Sequence, residues 1–313
     1  MRAVVMRTFG GPEVLGVEEV DLPDPGPGEV VVQVQFASVT FVETQVRAGA
    51  FGAPPLPRVL GNGVGGRVVG LGPDVDEGWR GQEVVTTTGG TGGYAEQAIA
   101  KAADLVPVPA EIPLPDAVAL LADGRTALLI EEVIRFAPGQ RVLVLAAAGG
   151  VGSLLIQLAL SEGAEVIGAA GGARKGVVVA NLGAQFADYG DPGWHLGVGS
   201  VDVLADGVGG PLGTAATRLV GPGGQVSRYG FASGSDAKPS SSDLRARGVR
   251  VHELGGSPGP DRNRGLIERA LRVAAAGVWR PVIGQVMPLE EAAAAHGRIE
   301  SRRTFGKTLL DTR

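Results

Sequence analysis

The first third of the chain consists of short apolar runs separated by turns, a pattern typical of β-strands. Glu29–Ser38 alternates apolar and polar residues, as an antiparallel strand with one buried face does. The Pro- and Gly-rich segment Asp24–Glu29 before it predicts a turn, and Thr40–Ala48 after it predicts a short helix. The other predicted strands are Arg2–Met6, Gly63–Gly70, Gln82–Thr87 and Tyr94–Ile99. Short strands with frequent turns predict a barrel-like β domain.

The pattern changes near Pro115, where helical periodicity begins and strands then alternate with helices. Asp116–Phe136 has the spacing of a helix. The strands predicted after it are Arg141–Ala146, Glu165–Ala169, Phe186–Tyr189, Val201–Ala205 and Gln225–Tyr229, and the helices between them are Val151–Glu162, Ala173–Leu182 and Leu212–Leu219. Almost continuously apolar strands that alternate with helices predict a parallel sheet covered on both faces. The fold class is therefore α/β, with a β-rich part and a doubly wound parallel sheet.

The last third mixes both kinds of element. Helices are predicted at Asn263–Ala276 and Glu290–Ile299, and strands at Pro281–Val286 and Lys307–Leu310. A length of 313 residues is typical of about two domains.

Composition removes several classes of function. The chain has no Cys, which excludes disulfides, Cys-ligated zinc, iron–sulfur clusters and a thiol nucleophile. The three His residues, His195, His252 and His296, lack the spacing of metal ligands, so we expect no metal. The net charge of -5 does not favour nucleic acid or an anionic membrane as a partner. Without a leader or a long apolar stretch, we expect a soluble cytoplasmic protein.

The clearest chemical motif is Ala147-Ala148-Gly149-Gly150-Val151-Gly152, which directly follows a predicted strand and begins a predicted helix. This context is that of a dinucleotide-binding fingerprint with Ala147 in the place of the first Gly. Gly149 would let the backbone approach a pyrophosphate, and Gly152 would let the helix pack closely on the strand. Free N–H groups at the helix start would bind the phosphates, which makes Ala148, Gly149, Gly150 and Val151 cofactor-binding candidates. The alternative is a Gly-rich turn without a ligand.

The end of the next predicted strand indicates which dinucleotide is bound. An NAD site usually has an Asp or Glu here, on the ribose 2′-hydroxyl. This chain instead continues with Gly171, Arg174 and Lys175, and two cations would attract a 2′-phosphate. We therefore predict NADP(H), with Tyr189 flanking the phosphate or the adenine. The alternative is that both cations are solvated at a helix start and that Tyr189 is ordinary packing.

Several segments together resemble the zinc-independent quinone oxidoreductases of the medium-chain dehydrogenase/reductase superfamily. They are Phe9–Leu15, Ala146–Gly152 and Glu300-Ser301-Arg302, and the similarity extends over nearly the whole chain. The resemblance implies a GroES-like catalytic domain formed by residues 1–120 and 255–313. It also implies a Rossmann domain inserted at 121–254, and a homodimer.

The resemblance assigns further cofactor contacts. Lys175 and Tyr189 match contacts to the 2′-phosphate, and Thr126 matches a Thr near the nicotinamide. The remaining matches are Gly207, in the loop Asp206–Gly210 beside the cofactor, the loop Tyr229-Gly230-Phe231 near the nicotinamide ribose, and Arg302 as a C-terminal contact.

The chain departs from the family at positions that carry chemistry. Zinc-dependent relatives have Cys and His–Glu in the catalytic domain, whereas Leu60–Gly66 offers no such ligand, so we expect no zinc-activated alcohol oxidation. The family commonly reads Asn-x-x-Asp-x-Tyr after the long strand, where this chain has Thr40, Glu43 and Gln45. Gln can form hydrogen bonds but cannot act as a general acid at neutral pH.

The candidate catalytic residues follow from this departure. Thr40, Gln45 and Asn62 are candidate hydrogen-bond donors for the negative charge that hydride transfer places on an oxygen. Asp123 and Glu43 are the nearest titratable groups by motif position. The alternative for both carboxylates is a solvated loop charge or a helix cap.

Three functions remain open. The first is NADPH-dependent, metal-free hydride transfer to a small-molecule quinone or an activated alkene, including a tailoring step of bacterial secondary metabolism. The second is an enoyl-thioester reductase that acts on a carrier-bound acyl chain. The third is an NADPH-binding protein without significant catalysis, which the same departures motivate.

Overall fold

The computed structural model describes residues 1–51, 54–254, 256 and 258–313, which form two compact units. The first unit comprises Met1–Gly124, Pro258–Ala275 and Ile283–Arg313, and the second comprises Arg125–Ser257 and Ala276–Val282. The predicted boundaries were 120/121 and 254/255, so the first division lies four residues further on. Gly255, the predicted start of the returning segment, is outside the described residues.

The prediction did not assign Ala276–Val282 to the second unit. Trp279 explains this assignment, because its ring is buried and its indole Nε1 donates a hydrogen bond to Leu154 O at 3.1 Å. A buried Trp needs such a partner for its N–H group.

The strands, in chain order, are β1 (Arg2–Met6), β2 (Leu15–Glu19), β3 (Glu29–Val39), β4 (Arg58–Val59), β5 (Gly63–Leu71), β6 (Glu83–Thr87), β7 (Gln97–Lys101), β8 (Val106–Pro107), β9 (Arg141–Leu145), β10 (Glu165–Ala170), β11 (Gln185–Asp188), β12 (Val201–Asp206), β13 (Val220–Arg228), β14 (Arg250–Glu253), β15 (Ile283–Pro288) and β16 (Lys307–Asp311). The α-helices are α1 (Phe41–Arg47), α2 (Leu114–Ile134), α3 (Gly150–Ser161), α4 (Ala173–Asn181), α5 (Gly210–Arg218), α6 (Ser241–Ala246), α7 (Pro260–Ala275) and α8 (Ala292–Glu300). Among the described residues, no helix is long and apolar enough to cross a membrane.

The first unit is built on a seven-stranded sheet with the order β15-β16-β3-β5-β6-β8, in which β7 also pairs with β3. The C-terminal strand β16 is antiparallel to β3, with Thr308 opposite Val39. A smaller sheet has the order β2-β1-β4. Val4, Val34 and Leu310 are buried in one core that joins residues from both chain ends. This is the predicted β-rich, GroES-like domain.

The second unit contains six parallel strands in the order β11-β10-β9-β12-β13-β14. The order reverses between β9 and β12, which defines a doubly wound sheet. Leu143, Ile167 and Leu204 are buried in its core, as expected when helices cover both faces of a parallel sheet. The predicted α/β fold class with an inserted Rossmann domain is confirmed.

Element ends and short elements differ from the prediction. The strand expected at Tyr94–Ile99 begins at Gln97, and the one expected at Pro281–Val286 begins at Ile283. The sequence analysis did not predict β4, β8, β14 or α6. These elements have two to six residues, which is too short for a periodic pattern to be recognised.

Candidate functional site

The turn between β9 and α3 has the geometry of a phosphate-binding turn. Ala146 leaves the strand with φ of 51°, and Gly149 precedes the helix in an extended conformation, with its N–H 2.8 Å from Ala146 O. The first-turn N–H groups that begin at Gly150 and Val151 lack intrahelical partners, as in any α-helix, and no side chain among the described residues caps them. They lie at the positive end of the helix dipole, where anions bind.

The two glycines of the fingerprint have different surroundings. A Cβ atom at Gly152 would lie 2.4 Å from Ala146 O and 2.9 Å from Ala147 Cα. Gly152 is therefore required for close packing of α3 against the preceding turn. A Cβ at Gly149 would meet only Ala146 O, at 3.1 Å, so its remaining surroundings are open to a ligand. Both arrangements fit the turn expected of a dinucleotide-binding fingerprint, in which Ala148 is buried.

The residues predicted to contact the 2′-phosphate lie at the carboxyl ends of β10 and β11. These strands are adjacent, and a Cβ atom at Gly171 would lie 3.2 Å from Cε2 of the Tyr189 ring. Arg174 and Lys175 follow in the first turn of α4, with Arg174 exposed and Lys175 half-buried. The structure therefore brings all four residues to one edge of the sheet.

One acidic residue at this edge was missed by the sequence analysis. Asp188 Oδ1 accepts hydrogen bonds from Gly172 N at 2.9 Å and Gly190 N at 2.8 Å, and these two bonds lower the pKa of the carboxyl. The acid comes from β11 rather than from the end of β10, where an NAD-binding acid would be sought. Through these two hydrogen bonds, Asp188 connects the loop after β10 with the loop after β11.

The loops after the neighbouring strands β12 and β13 lie against each other. A Cβ at Gly207 would lie 2.6 Å from Tyr229 Cζ, and one at Gly230 would lie 2.8 Å from Gly207 O. Tyr229 also donates a hydrogen bond to Leu145 O, at the end of β9. Tyr229, Gly230 and Phe231 line a cavity of about 320 Å³.

In the first unit, Glu43 connects two of the predicted catalytic residues. Thr40 N donates to Glu43 Oε2 at 2.7 Å, and Thr40 Oγ1 donates to the same oxygen at 3.1 Å. Asn62 N donates to the other oxygen, Oε1, at 3.0 Å. Glu43 N also donates a long 3.4 Å bond to Thr40 Oγ1, which completes a capping box at the start of α1.

The surroundings of Glu43 show which of the two alternatives, a solvated loop charge or a helix cap, describes it. It is a helix cap, as one alternative proposed, but it is only 7% exposed and is not a solvated loop charge. Burial raises the pKa of the Glu43 carboxyl, while the donors from Thr40 and Tyr94 and the positive charge of Lys307 oppose the shift. A buried carboxyl with a raised pKa is a candidate for proton transfer.

The side chains of Asn62 and Gln45 are half-buried, and each already forms one hydrogen bond within the protein. Asn62 Oδ1 accepts a hydrogen bond from Gly90 N at 2.7 Å, which fixes the orientation of the amide. Within the described part of the chain, Asn62 Nδ2 has no hydrogen-bond partner and can donate to a ligand. Gln45 Nε2 donates to the neighbouring Thr44 Oγ1 at 3.1 Å and keeps a second N–H.

Asp123 does not contact the Glu43 cluster directly but forms an ion pair with Lys307. Lys307 Nζ lies 3.3 Å from the carboxylate, and the two side chains are 4% and 15% exposed. Lys307 begins β16 and was not singled out by the sequence analysis. Its charge reaches both Asp123 and Glu43.

Two more buried groups that sequence analysis missed extend this cluster. Tyr94 donates its hydroxyl hydrogen bond to Glu43 Oε2 at 3.0 Å, and His296 Nε2 lies 3.1 Å from the same hydroxyl. Burial, together with the charge of Arg47, lowers the pKa of His296 to about 3, so the imidazole is neutral. A lone His on an Ala-rich helix gives no signal of this contact in the sequence.

The last two predicted cofactor contacts lie in different units. Thr126 is half-buried in α2, within the second unit. Arg302 is exposed in the first unit, just after α8, with φ of 57°.

Comparison with known proteins gives two matching family models. The model described as the alcohol dehydrogenase GroES-like domain matches residues 26–110, and the one described as zinc-binding dehydrogenase matches residues 182–310. Among curated proteins, a quinone oxidoreductase of Pseudomonas aeruginosa is 30% identical, over 99% of this chain and 99% of its own. A 2-haloacrylate reductase of a Burkholderia species is 30% identical, over 98% of each chain.

Solved structures of dehydrogenases and quinone oxidoreductases also match this chain over its whole length. The quinone oxidoreductase of Escherichia coli, solved in complex with NADPH, has a TM-score of 0.90 and 27% identity, with 100% of both chains covered. A structure described as an NAD-dependent alcohol dehydrogenase has a TM-score of 0.91 and 31% identity, also over 100% of both chains.

The donor set does not fit the zinc ion that one family description names. The chain has no Cys. Across the described residues, no group of three His, Asp or Glu side chains could hold a metal ion. Leu60–Gly66, where the ligands were sought, instead presents Asn62.

Proposed function

Because the chain belongs to the quinone oxidoreductase family of the medium-chain dehydrogenase/reductase superfamily, we propose that it reduces quinones or activated alkenes with NADPH. The family and the oxidoreductase class, both predicted from the sequence, are confirmed. The observation that carries the proposal is the uncapped start of α3 at the reversal of the strand order.

NADP(H) is the cofactor, and this chain's residues would hold it through two kinds of contact. The N–H groups of Gly150 and Val151 would bind the pyrophosphate. Arg174 and Lys175, beside Gly171 and Tyr189, would bind the 2′-phosphate as charge-assisted donors. Bound NADPH supplies the hydride.

The other cofactor contacts are part of the same proposal. Gly207 and Gly230 would let the loops after β12 and β13 pack closely together beside the nicotinamide ribose, since a Cβ atom at either glycine would clash with the other loop. From the family resemblance, Thr126, Tyr229 and Phe231 are assigned to the nicotinamide end, and Arg302 to a C-terminal cofactor contact.

The residues around Glu43 would bind the acceptor. Hydride transfer to an electron-poor carbon places negative charge on an acceptor oxygen, which donors aimed at it stabilise. Asn62 Nδ2 and the second N–H of Gln45 are available donors, and the Thr40 hydroxyl lies at the Glu43 carboxyl. Asp123 would act through Lys307, whose ammonium it holds. The relative that reduces 2-haloacrylate supports the activated-alkene form of the proposal.

The test is a titration with NADPH and NADH, followed by nicotinamide fluorescence. NADPH should bind more tightly than NADH, and adding a simple quinone, an enone or a haloacrylate should oxidise it. An enoyl thioester tested in parallel examines the carrier-bound alternative. Oxidation by none of these acceptors despite tight NADPH binding would favour a binding protein, and failure to bind either dinucleotide would refute the proposal.

A homodimer is proposed on the family relationship. The strand β14 lies at the edge of the six-stranded sheet, and an edge strand offers unpaired backbone groups to a second copy. Sedimentation equilibrium should give twice the mass of one chain. A charge-reversing change at exposed Arg250, in β14, should shift the protein toward monomer.

A further inference from the structure

A chain of hydrogen bonds leads from Thr40, a residue of the proposed acceptor site, to fully buried side chains. It begins at the Thr40 hydroxyl, passes 3.1 Å to Glu43 Oε2 and 3.0 Å further to the Tyr94 hydroxyl, and ends 3.1 Å away at His296 Nε2. Tyr94 and His296 are fully buried, and Glu43 nearly so. Thr40 is the half-buried end of this chain.

We propose that Glu43 supplies the proton that the reduced acceptor takes up, through the hydroxyl of Thr40, and that Tyr94 and His296 position this carboxyl. The inference rests on the proposed reductase function. It assigns a proton source to a chain in which Gln45 stands where the family commonly has Tyr.

The proton transfer balances without a further reactant. NADPH provides the hydride, and the acceptor becomes an anion. The Thr40 O–H bond breaks as its hydrogen passes to that anion, and Thr40 Oγ1 takes the proton of Glu43 Oε2–H. Glu43 is left as a carboxylate, and solvent returns its proton through Thr40 after product release.

The groups around Glu43 suit a carboxyl that gains and loses a proton. Burial favours the neutral acid. The carboxylate, once formed, is stabilised by the N–H groups of Thr40 and Asn62, by the Tyr94 hydroxyl and by the charge of Lys307. The charge of Lys307 is itself offset by its ion pair with Asp123. The surroundings of Glu43 therefore stabilise both its neutral and its charged form.

Tyr94 can serve both states without moving its ring. Its hydroxyl lies between Glu43 Oε2 and His296 Nε2, and can donate to either. Neutral His296 accepts in one tautomer and donates in the other. Within the described residues its Nδ1 has no partner, and Arg47 nearby is ion-paired with Glu300 at 2.5 Å. The O–H of Tyr94 would point to His296 when Glu43 is neutral and to Glu43 when it is charged.

The first test measures protonation directly and needs no turnover. Infrared spectra of the full-length protein, before NADPH is added, should show the carbonyl band of a buried protonated carboxyl at neutral pH. Glu43→Gln should remove the band, and Thr40→Ser should keep it. Absence of any band that Glu43→Gln removes would mean that Glu43 is ionised, and would overturn the proposal.

The second test uses kinetics with a matched control. General acid catalysis typically contributes about 10²–10⁴-fold, so Glu43→Gln should lower kcat about 100-fold while NADPH binding is unchanged. The amide oxygen of Gln can still accept from Thr40 N, which keeps the capping box of α1, while its NH2 group replaces the oxygen that accepts from Asn62 N. The control is Glu29→Gln, because Glu29 likewise accepts a hydrogen bond from a backbone N–H three residues earlier, that of Gly26. This control variant should leave kcat unchanged.

Variants at Thr40 and Tyr94, the two hydroxyl groups bonded to Glu43, distinguish proton transfer from a structural role. Thr40→Val should slow turnover as much as Glu43→Gln, the double variant should be no slower than either, and Thr40→Ser should restore the rate. Tyr94→Phe removes a donor to the carboxylate, so the infrared band should persist to higher pH. Additive losses in the double variant, or an unmoved band in Tyr94→Phe, would contradict the inference. Failure of the unchanged protein to oxidise NADPH would instead refute the proposed function.

Discussion

Replacing Gly152 by Ala should loosen the cofactor-binding turn through a backbone clash. The added Cβ would lie 2.4 Å from Ala146 O, 2.9 Å from Ala147 Cα and 3.0 Å from Ala146 C. All three atoms belong to backbone and cannot rotate away. To bring the shortest contact from 2.4 to 3.0 Å, α3 must move by about 0.6 Å relative to the turn.

Two opposing contributions set the expected magnitude. Overpacking in a close-packed interior lowers stability by about 1–3 kcal/mol, and a clash with rigid backbone belongs at the upper end. Ala is favoured over Gly within a helix by about 1 kcal/mol. The free energy of unfolding should therefore fall by about 2 kcal/mol, and the melting temperature by a few degrees.

Two other glycines provide controls for the same substitution. Gly265 lies in α7 with nothing within 4 Å of its Cβ position, so Gly265→Ala should raise stability by up to about 1 kcal/mol. Gly149 has an extended backbone, and its Cβ meets only one atom at 3.1 Å. Gly149→Ala should change stability by less than about 0.5 kcal/mol but weaken NADPH binding about tenfold, since the phosphate approaches this residue.

Thermal unfolding without nucleotide, and NADPH titration by fluorescence, measure both quantities for each variant. The reasoning about Gly152 is refuted if Gly152→Ala is as stable as the unchanged protein. The assignment of Gly149 is refuted if Gly149→Ala binds NADPH normally.

Three further predictions concern charge and hydrogen bonding. Lys175→Glu should weaken NADPH binding about 10–100-fold and leave NADH binding nearly unchanged in the same titration, because the charge would face the 2′-phosphate; equal weakening of both would contradict this. Burial lowers the pKa of His296 to about 3, whereas the imidazole of the unfolded chain takes up a proton near pH 6.5. The free energy of unfolding should therefore decline as pH falls from 6.5 to 3, by up to about 1.4 kcal/mol per pH unit. Urea unfolding should show His296→Gln with a shallower decline over this range. Gln45→Ala should lower kcat/KM for a quinone about tenfold with NADPH binding intact, and unchanged kinetics would remove Gln45 from the site.

Much of the second unit could be predicted because its signals are local. The fingerprint Ala147–Gly152 is contiguous, and the strand before it and the helix after it have clear periodicity. The strand order was not predicted from the residues themselves, but near-continuous apolar strands already required a covered parallel sheet. The absence of an acid after β10 could also be recognised in the sequence. The role of Asp188 could not, because it depends on a hydrogen bond between two loops that only the folded structure brings together.

The catalytic candidates show where sequence reasoning stopped. Thr40, Gln45 and Asn62 were chosen by position, and the sequence left Glu43 open as a titratable candidate, a solvated charge or a helix cap. The capping box is local and could be anticipated from the spacing of Thr40 and Glu43. Burial of the carboxyl could not, because it depends on Asn62, Tyr94 and Lys307, which are distant in the sequence, lying close to the Glu43 side chain.

The sequence by itself determined the strand–turn–helix unit that fits a dinucleotide, since glycine sterics and apolar periodicity act over a few residues. Only the tertiary structure decided which polar side chains form the buried chain of hydrogen bonds at Glu43. Glu43 and Tyr94 are 51 positions apart, and Tyr94 and His296 are 202 apart. No periodic pattern links residues at such separations, because a hydrogen bond is set by distances of about 3 Å that arise only when both chain ends join one core.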